Sequence, residues 1–372
     1  MQQFLFWFPV SIILYTFIGY PIAITLLARF LARPIRKEDI TPHVTVLIPA
    51  YNEAAIIQRK IENCLALDYP KNQLSVMVVT DGSEDDTAII VSQFREQGVH
   101  LCHQPERKGK VAAINRVVPT VNSEIIVFSD ANTMLTPDGI QAIVRSFADD
   151  RVGLVAGEKR VMGGGEGLYW RYESHLKRCE SALGSVIGAA GELFAIRREL
   201  FEKPEDDSIV EDFIMSLRLV ASGWRAVYEP AAVAEELPSP SLAGDWERRT
   251  RIAAGSFQAM GRLLRLLNPA MGRIAWQYLS HKLLRWAVTP IMLPAAYLLN
   301  LSLVNIPIYL ALFLGQTIFY GLAAVGFILA RRGIRRSLPY FAFYFCLMNI
   351  AEIVGFWRYI TGKQTVTWVK AR

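Results

Sequence analysis

Two long uncharged runs bracket this chain. Phe4 to Leu27 holds 24 residues without a charged side chain, and Trp286 to Ala330 holds 45. About 20 apolar residues rising ~1.5 Å each cross a ~30 Å hydrocarbon core. No water is available there to satisfy backbone N–H and C=O groups, so such runs fold as helices. The first run predicts one span. A cleaved signal peptide is the rival reading, but no basic stretch precedes Phe4, and the run is longer than a signal peptide's apolar segment. The second run predicts a hairpin of two spans turning near Asn305-Ile306-Pro307. Pro339 to Trp357 is a further candidate, interrupted by Glu352. An acid at membrane depth is costly unless it is paired or faces the protein interior, and the sequence names no partner for it.

Basic residues flank these runs and set an orientation. Arg29, Arg33, Arg36 and Lys37 follow the first, Lys282 and Arg285 precede the second, and Arg331, Arg332, Arg335 and Arg336 follow it. All three clusters read as cytoplasmic, which puts a multi-pass chain in the inner (plasma) membrane. A further crossing would carry Arg358, Lys363, Lys370 and Arg372 outside, so either the last segment does not cross or its short tail is an exception. The net charge of +6 is then mostly membrane-flanking and calls for anionic lipid, not nucleic acid. Cys64, Cys102, Cys179 and Cys346 have no paired spacing, which fits a reducing compartment and no zinc site.

Between about Thr41 and Gly244 the pattern changes to that of an α/β domain. Apolar runs at Val44–Pro49, Ser75–Val79, His100–His103 and Ile125–Phe128 read as strands. Ala54–Leu67, Asp86–Gln97 and Gly109–Val118 read as the helices between them. That alternation implies a mostly parallel sheet. Asp85 or Asp86 suits a helix N-cap, and Pro137 sits near the start of the next helix. Gly163-Gly164-Gly165 predicts a turn, and Leu168–Ser181 has helical spacing. Asp245–Leu267 interleaves five arginines with Ile252, Phe257, Met260 and Leu263, the profile of an interfacial amphipathic helix ended by Asn268-Pro269. The expected division is an anchor at 1–37, a cytoplasmic domain at 38–244, the interfacial helix at 245–275 and a C-terminal membrane region at 276–372.

Acids punctuate the strand ends: Asp81 in Val-Val-Thr-Asp-Gly-Ser, Asp130 in Phe-Ser-Asp-Ala-Asn-Thr, and later Glu211-Asp212. The first two should emerge where open α/β sheets bind ligands, beyond the C-terminal ends of parallel strands. With Pro49-Ala50-Tyr51-Asn52-Glu53 closing the first strand, these motifs resemble the family 2 inverting glycosyltransferases of GT-A fold. The resemblance is to the membrane-embedded branch that includes cellulose, hyaluronan and poly-N-acetylglucosamine synthases, and it covers about Val44 to Gly255.

That resemblance implies roles residue by residue. Pro49, Tyr51, Glu53 and Asp81 would surround the base and ribose of a nucleotide-sugar donor, with UDP-linked donors the first expectation. Lys110, in Arg107-Lys108-Gly109-Lys110, would lie near the diphosphate at a helix start, where cations and backbone N–H groups both favour phosphate. Asp130-Ala131-Asn132 stands where the family has an Asp-x-Asp metal signature, implying Mg²⁺ or Mn²⁺ at Asp130 and Asn132, although read alone Asn132 equally forms an Asx turn. Gly188, Ala189, Gly191 and Glu192 match the acceptor-side loop, where small residues serve close approach of an acceptor or tight packing. Asp212, beside Glu211, matches the general base. Arg248 and Arg251 fall where many members have Gln-x-x-Arg-Trp. Arg251 matches the Arg, whereas Arg248 and Ile252 replace the Gln and Trp.

The expectation is therefore a membrane-bound, metal-dependent inverting glycosyltransferase acting on a lipid-linked or polysaccharide acceptor, in cell-surface polysaccharide or glycolipid synthesis. Ile252 cannot stack on a sugar as Trp does, which argues against processive synthesis. A nucleotide-binding membrane scaffold or transporter is the alternative from another class, but it leaves the strand-end acids unexplained. A soluble nucleotidyltransferase would need no anchor.

Overall fold

The computed structural model describes residues 1–162, 167–237, 241–334 and 337–365. The expected Gly163-Gly164-Gly165 turn, Arg335, Arg336, Lys370 and Arg372 lie outside the described residues. The chain opens with α1 (Gln2–Leu14) and α2 (Tyr20–Leu31), which a π-helical turn at Tyr15–Gly19 joins into one 30-residue helix. An extended strap then leads into the sheet. Arg36 donates to the Ala148 carbonyl and Lys37 pairs with Glu229 at 2.6 Å, so both basic residues are docked on the domain.

Strands β1 (Val44–Ala50), β2 (Leu74–Asp81), β3 (Val99–Gln104) and β4 (Ile125–Ser129) are parallel, as the alternating pattern predicted. Between them lie α3 (Ala54–Leu65), α4 (Thr87–Ser92) and α5 (Lys110–Val117). The opposite faces of β1 explain the layering. Val44, Val46 and Ile48 meet the Ile57, Ile61 and Cys64 stripe of α3, while Leu47 meets Ala113, Ile114 and Val117 of α5.

The second half mixes directions. It comprises β5 (Thr133–Leu135), α6 (Gly139–Val144), β6 (Val152–Val161), α7 (Gly167–Leu183), β7 (Leu193–Arg197), α8 (Glu211–Ala221) and β8 (Arg225–Glu236). The sheet order is β3-β2-β1-β4-β7-β6-β8-β5. β7 is antiparallel to both β4 and β6, β8 is parallel to β6, and β5 is antiparallel to β8. Stacked rings of Phe128 and Phe194, 4.6 Å apart, join the halves. The inversion at β7 brings its first residue beside the last residue of β4, with Leu193 opposite Ser129. The ends of β6 and β8 share that edge, with Val161 opposite Glu236, and the start of β5 joins them, with Thr133 opposite Glu236. One rim of the sheet thus collects Asp81, Asp130, Glu192 and Glu236.

After the sheet come α9 (Leu242–Arg262), α10 (Arg273–Gln277), a π-helical stretch at Tyr278–Val288, α11 (Thr289–Leu301), α12 (Pro307–Arg331) and α13 (Ser337–Ile360). The predicted amphipathic helix is α9. Phe257, Met260 and, just past its end, Leu263 pack with Phe213, Ile214 and Leu217 of α8, and α13 covers its other side, Phe356 lying 5.0 Å from Phe257. Among the described residues, three helices are long and apolar enough to cross a bilayer: Gln2–Leu31, Pro307–Arg331 and Leu338–Ile360. The predicted turn near Asn305 is present, but the first arm of that hairpin, α11, which continues the Tyr278–Val288 π-helical stretch and packs on α1, is not among those three helices. The segment containing Glu352 forms a full-length helix.

Candidate active site

The loops after β1 and β2 are laced together by backbone donors. Asn52, at φ 52°, donates its N–H to Ser83 Oγ and accepts from the Glu84 N–H at 2.8 Å. The Glu53 N–H donates to Thr87 Oγ1 at 2.8 Å, and Asp85 accepts from the N–H groups of Ala54 and Thr87. Of the two expected caps, Asp85 therefore does the bonding, and it ties two loops as well as one helix. Pro49 stands opposite Val79, and Ala50, opposite Thr80, ends the pairing of β1.

Asp81 is buried and holds the third loop. Its Oδ2 accepts from the N–H groups of Lys108 at 3.0 Å and Gly109 at 2.6 Å. Its Oδ1 has no partner among the described residues. An orphaned buried carboxylate oxygen is expensive, so this atom asks for a donor such as a base N–H. Gly82 is required here because a Cβ would lie 2.6 Å from Arg107 and its φ is +67°. Arg107 in turn lies over the Tyr51 ring at 3.7 Å, so the Tyr51 and Asp81 stations share one wall.

Lys110 is the hub of the rim. Its Nζ is 2.9 Å from Asp130 Oδ1 and 2.8 Å from Glu211 Oε1. Burial alone would lower its pKa, but the two carboxylates outweigh that and hold it above the usual lysine value. Gly191 closes the other side: a Cβ there would lie 3.6 Å from Asp212 Oδ2 and 3.8 Å from Lys110 Nζ. Glu211 and Asp212 form the first turn of α8, where the helix dipole favours negative charge. Burial nevertheless pushes the Asp212 carboxyl up to about 7, with Glu211 adding to the rise and Lys110 opposing it. A carboxyl near 7 can accept a proton at neutral pH, which its ordinary value would make ineffective.

The loop expected on the acceptor side is fixed by packing. At Gly188, φ is +104° and a Cβ would sit 2.4 Å from the Phe213 ring. The Ala189 N–H donates to Ser216 Oγ at 3.1 Å. Both contacts tie the loop to α8, and so to the backbone that carries Asp212.

Arg248 is held in a cluster of ion pairs. Its guanidinium is 3.0 Å from Glu192 and 3.3 Å from Glu236, and Lys159 Nζ is 2.5 Å from each of the same two acids. Burial would raise Glu192, but Lys159 and Arg248 prevail and hold its carboxyl well below the usual range. Asn132 Nδ2 donates to Glu236 at 2.6 Å, turning its amide oxygen away from that acid. Arg251 is pulled below its usual pKa by burial and by Arg248, against the field of Glu211.

Sequence reasoning missed Lys159, Trp170, Glu236 and Lys60. Lys159 and Glu236 come from β6 and β8, and Trp170 lines a 100 Å³ pocket with Lys159, Glu192, Glu236, Arg248 and Ile252. Lys60 is fully buried, donating to Ser129 Oγ and the Thr133 carbonyl, both at 2.7 Å, beneath the Asp130 turn. Its signal was visible: it shares the apolar stripe of Ile57, Ile61 and Cys64.

Among the described residues no cluster of three or more His, Cys, Asp or Glu stands ready for a metal. The donor set still fits a hard divalent ion: Asp130 keeps Oδ2 clear of Lys110, and Asn132 has turned its amide oxygen from Glu236. Two oxygens suit Mg²⁺ or Mn²⁺, which keep most ligands as water and substrate phosphate.

A mixed sheet with Asp81, Asp130, Glu192 and Glu236 gathered on one rim is of GT-A type. Residues 42–255 match the family described as glycosyltransferase like family 2, and the chain belongs to it. It is 26% identical over 281 residues to the poly-beta-1,6-N-acetyl-D-glucosamine synthase of Staphylococcus aureus, covering 70% of this chain and 66% of that one. It is 30% identical over 234 residues to the probable glycosyltransferase YdaM of Bacillus subtilis, covering 58% and 55%. The chain thus spans just under two thirds of the first relative's length and about half of the second's. Among solved structures it is similar to the mannosyltransferase PcManGT from Pyrobaculum calidifontis in complex with GDP-Man and Mn²⁺. There the TM-score is 0.73 at 24% identity, over 96% of this chain and 99% of that one. That likeness is one of fold.

Proposed function

We propose that this glycosyltransferase moves one sugar, with inversion, from a nucleotide-diphospho-sugar to a membrane-delivered lipid or glycan acceptor. The observation that carries the reading is Lys110, whose ammonium bridges Asp130 and Glu211 beside Asp212. Tyr51, Glu53 and Asp81 would hold the nucleoside, the orphaned Asp81 Oδ1 accepting from the base. Base identity rests on that pocket: a uracil donor is the first expectation, and the mannosyltransferase bound to GDP-Man makes a guanine donor the comparison to run.

Lys110 would place its charge against the diphosphate. A divalent ion at Asp130 and Asn132, when bound, would supply Lewis-acid neutralisation of the leaving diphosphate. Asp212 would take the proton of the acceptor hydroxyl as that oxygen bonds to the anomeric carbon and the carbon–phosphate oxygen bond breaks. Gly188 to Gly191 would let the acceptor approach the backbone. Arg248 would act by holding Glu192 and Glu236 in place, with Arg251 facing the crevice acids.

The catalytic unit of 38–244 would face the cytoplasm of the inner membrane. The 1–37 anchor, the 245–275 helix and the 276–372 region would hold it there. Processive synthesis is the weaker reading, since Ile252 offers no stacking face, although Trp170 lines the same pocket. Radiolabelled sugar transfer by the full chain tests the assignment. Asp212→Asn should lose ~10²–10⁴-fold in turnover with nucleotide binding retained, and wild-type turnover in that variant would overturn it.

A further inference from the structure

A second cavity, of about 580 Å³, opens where the π-helical turn Tyr15–Gly19, α7, the π-helical stretch Tyr278–Val288 and α13 meet. Its walls are mostly rings and aliphatic side chains, among them Phe17, Tyr172, Trp286, Phe345 and Met348. Two guanidiniums, Arg171 and Arg285, and one carboxylate, Glu352, also line it. Glu352 is 9% exposed, and its Oε2 has no hydrogen-bond partner among the described residues. A buried carboxyl oxygen left without a donor or acceptor at membrane depth is a costly arrangement to keep without a ligand.

The cavity adjoins the proposed catalytic base through two rings. Trp286 forms part of its wall and lies 5.4 Å from Phe213, the residue next to Asp212. On another side Arg249, over the Tyr344 ring at 4.4 Å, stands between the cavity and the pocket of Glu192 and Arg248. An amphiphile can therefore lie with its hydrocarbon in the cavity and its head directed past Arg249 toward the catalytic rim. Arg171 and Arg285, the latter also ion-paired with Glu173, favour a phosphate in that head, and Glu352 offers a carboxyl to a hydroxyl of the same head.

We infer that this cavity binds the acceptor as a phosphate-headed lipid, its long tail lodged among Phe17, Trp286, Phe345 and Met348. The inference rests on the sugar-transfer reading for the word acceptor; lipid binding itself does not depend on it. Two probes test it on the full chain in phosphatidylcholine nanodiscs: a diazirine-tailed polyprenyl phosphate and a diazirine-tailed phosphatidic acid. Labelled peptides mapped by mass spectrometry should fall on 169–175 and 341–349 with at least one probe. The same tails on uncharged alcohols should label these peptides at least fivefold less.

Asn349→Trp should fill the cavity and cut labelling at least tenfold. Among the described residues the native Asn349 amide bonds the Phe345 carbonyl of its own helix, so the smaller Asn349→Leu is expected to fold and to keep labelling. Nucleotide release from donor hydrolysis, which needs no lipid, should be unchanged in both. Labelling spread over the outer faces of α1 and α12, equal labelling by the uncharged tails, or labelling indifferent to Asn349→Trp would each overturn the inference. Loss of lipid labelling with nucleotide release intact counts against the lipid site alone. Intact labelling in a chain that releases no nucleotide counts against the transfer reading alone.

Discussion

Asp212 shows how a residue's surroundings set its chemistry. Its carboxyl, pushed up to about 7 by burial and by Glu211, is mostly protonated below that pH and cannot serve as base. The acid limb of kcat/KM should therefore lie near 7, measured as a pH profile of sugar transfer. Lys110 opposes the rise, so Lys110→Met should move that limb upward and lower the rate at neutral pH. The stability effect has the opposite sense. A carboxyl whose folded pKa exceeds its unfolded value of about 3.8 stabilises the fold fully below that value, and the contribution disappears as pH climbs through about 7. Asp212→Asn should accordingly raise the melting temperature at pH 8, by roughly 2–4 °C for each kcal/mol relieved. A variant that is inactive and more stable would separate a catalytic cost from a structural one.

At the scale of elements, the β5–β8 pairing gives Asn132 its identity. Its amide donates to Glu236 at 2.6 Å, inside a group already holding Lys159, Glu192 and Arg248. Asn132→Asp brings the chain nearer the family's metal signature, yet it would set two carboxylates against each other there. Such a variant should melt lower, by several degrees, and gain no activity with added Mn²⁺; thermal unfolding and transfer assays read the two effects. The loop before β7 makes a separate demand. Gly188→Ala must strain a φ of +104° and displace the Phe213 ring, so turnover and stability should fall together, with a stability cost of about 1–3 kcal/mol. Denaturant titration checks the second figure.

For the whole molecule, anchor and domain are one packed body. Tyr20 and Ile24 of the N-terminal apolar helix are buried against Leu176, Cys179 and Leu183 of α7, and the Tyr20 hydroxyl donates to Glu180 at 2.6 Å. Glu180 also accepts from His281 at 2.6 Å and from the Ile187 N–H, one residue before Gly188. A fragment of residues 38–262 should therefore aggregate or melt well below the full chain, by size-exclusion and thermal unfolding in matched detergent. A soluble, monomeric, equally stable fragment would contradict this view.

The sequence alone determined what depends on neighbours along the chain. Uncharged runs, alternating apolar patterns and turn residues set the apolar ends, the four parallel strands and their helices, because membrane cost and burial periodicity are local. Asp81, Asp130 and Asp212 were legible as strand-end and helix-start acids for the same reason. Only the tertiary structure decided what those acids touch. The antiparallel insertion of β7 carries Glu192 to Asp130, the parallel return of β8 brings Glu236 to Asn132, and Lys110 reaches Glu211 across about a hundred residues. The buried pairing of Arg248, the role of Lys159 and the cavity around Glu352 follow likewise from strand order and helix packing. Hydrogen bonds and Coulomb forces act through distances of a few ångströms, and no spacing in the sequence encodes which distant segments will come that close.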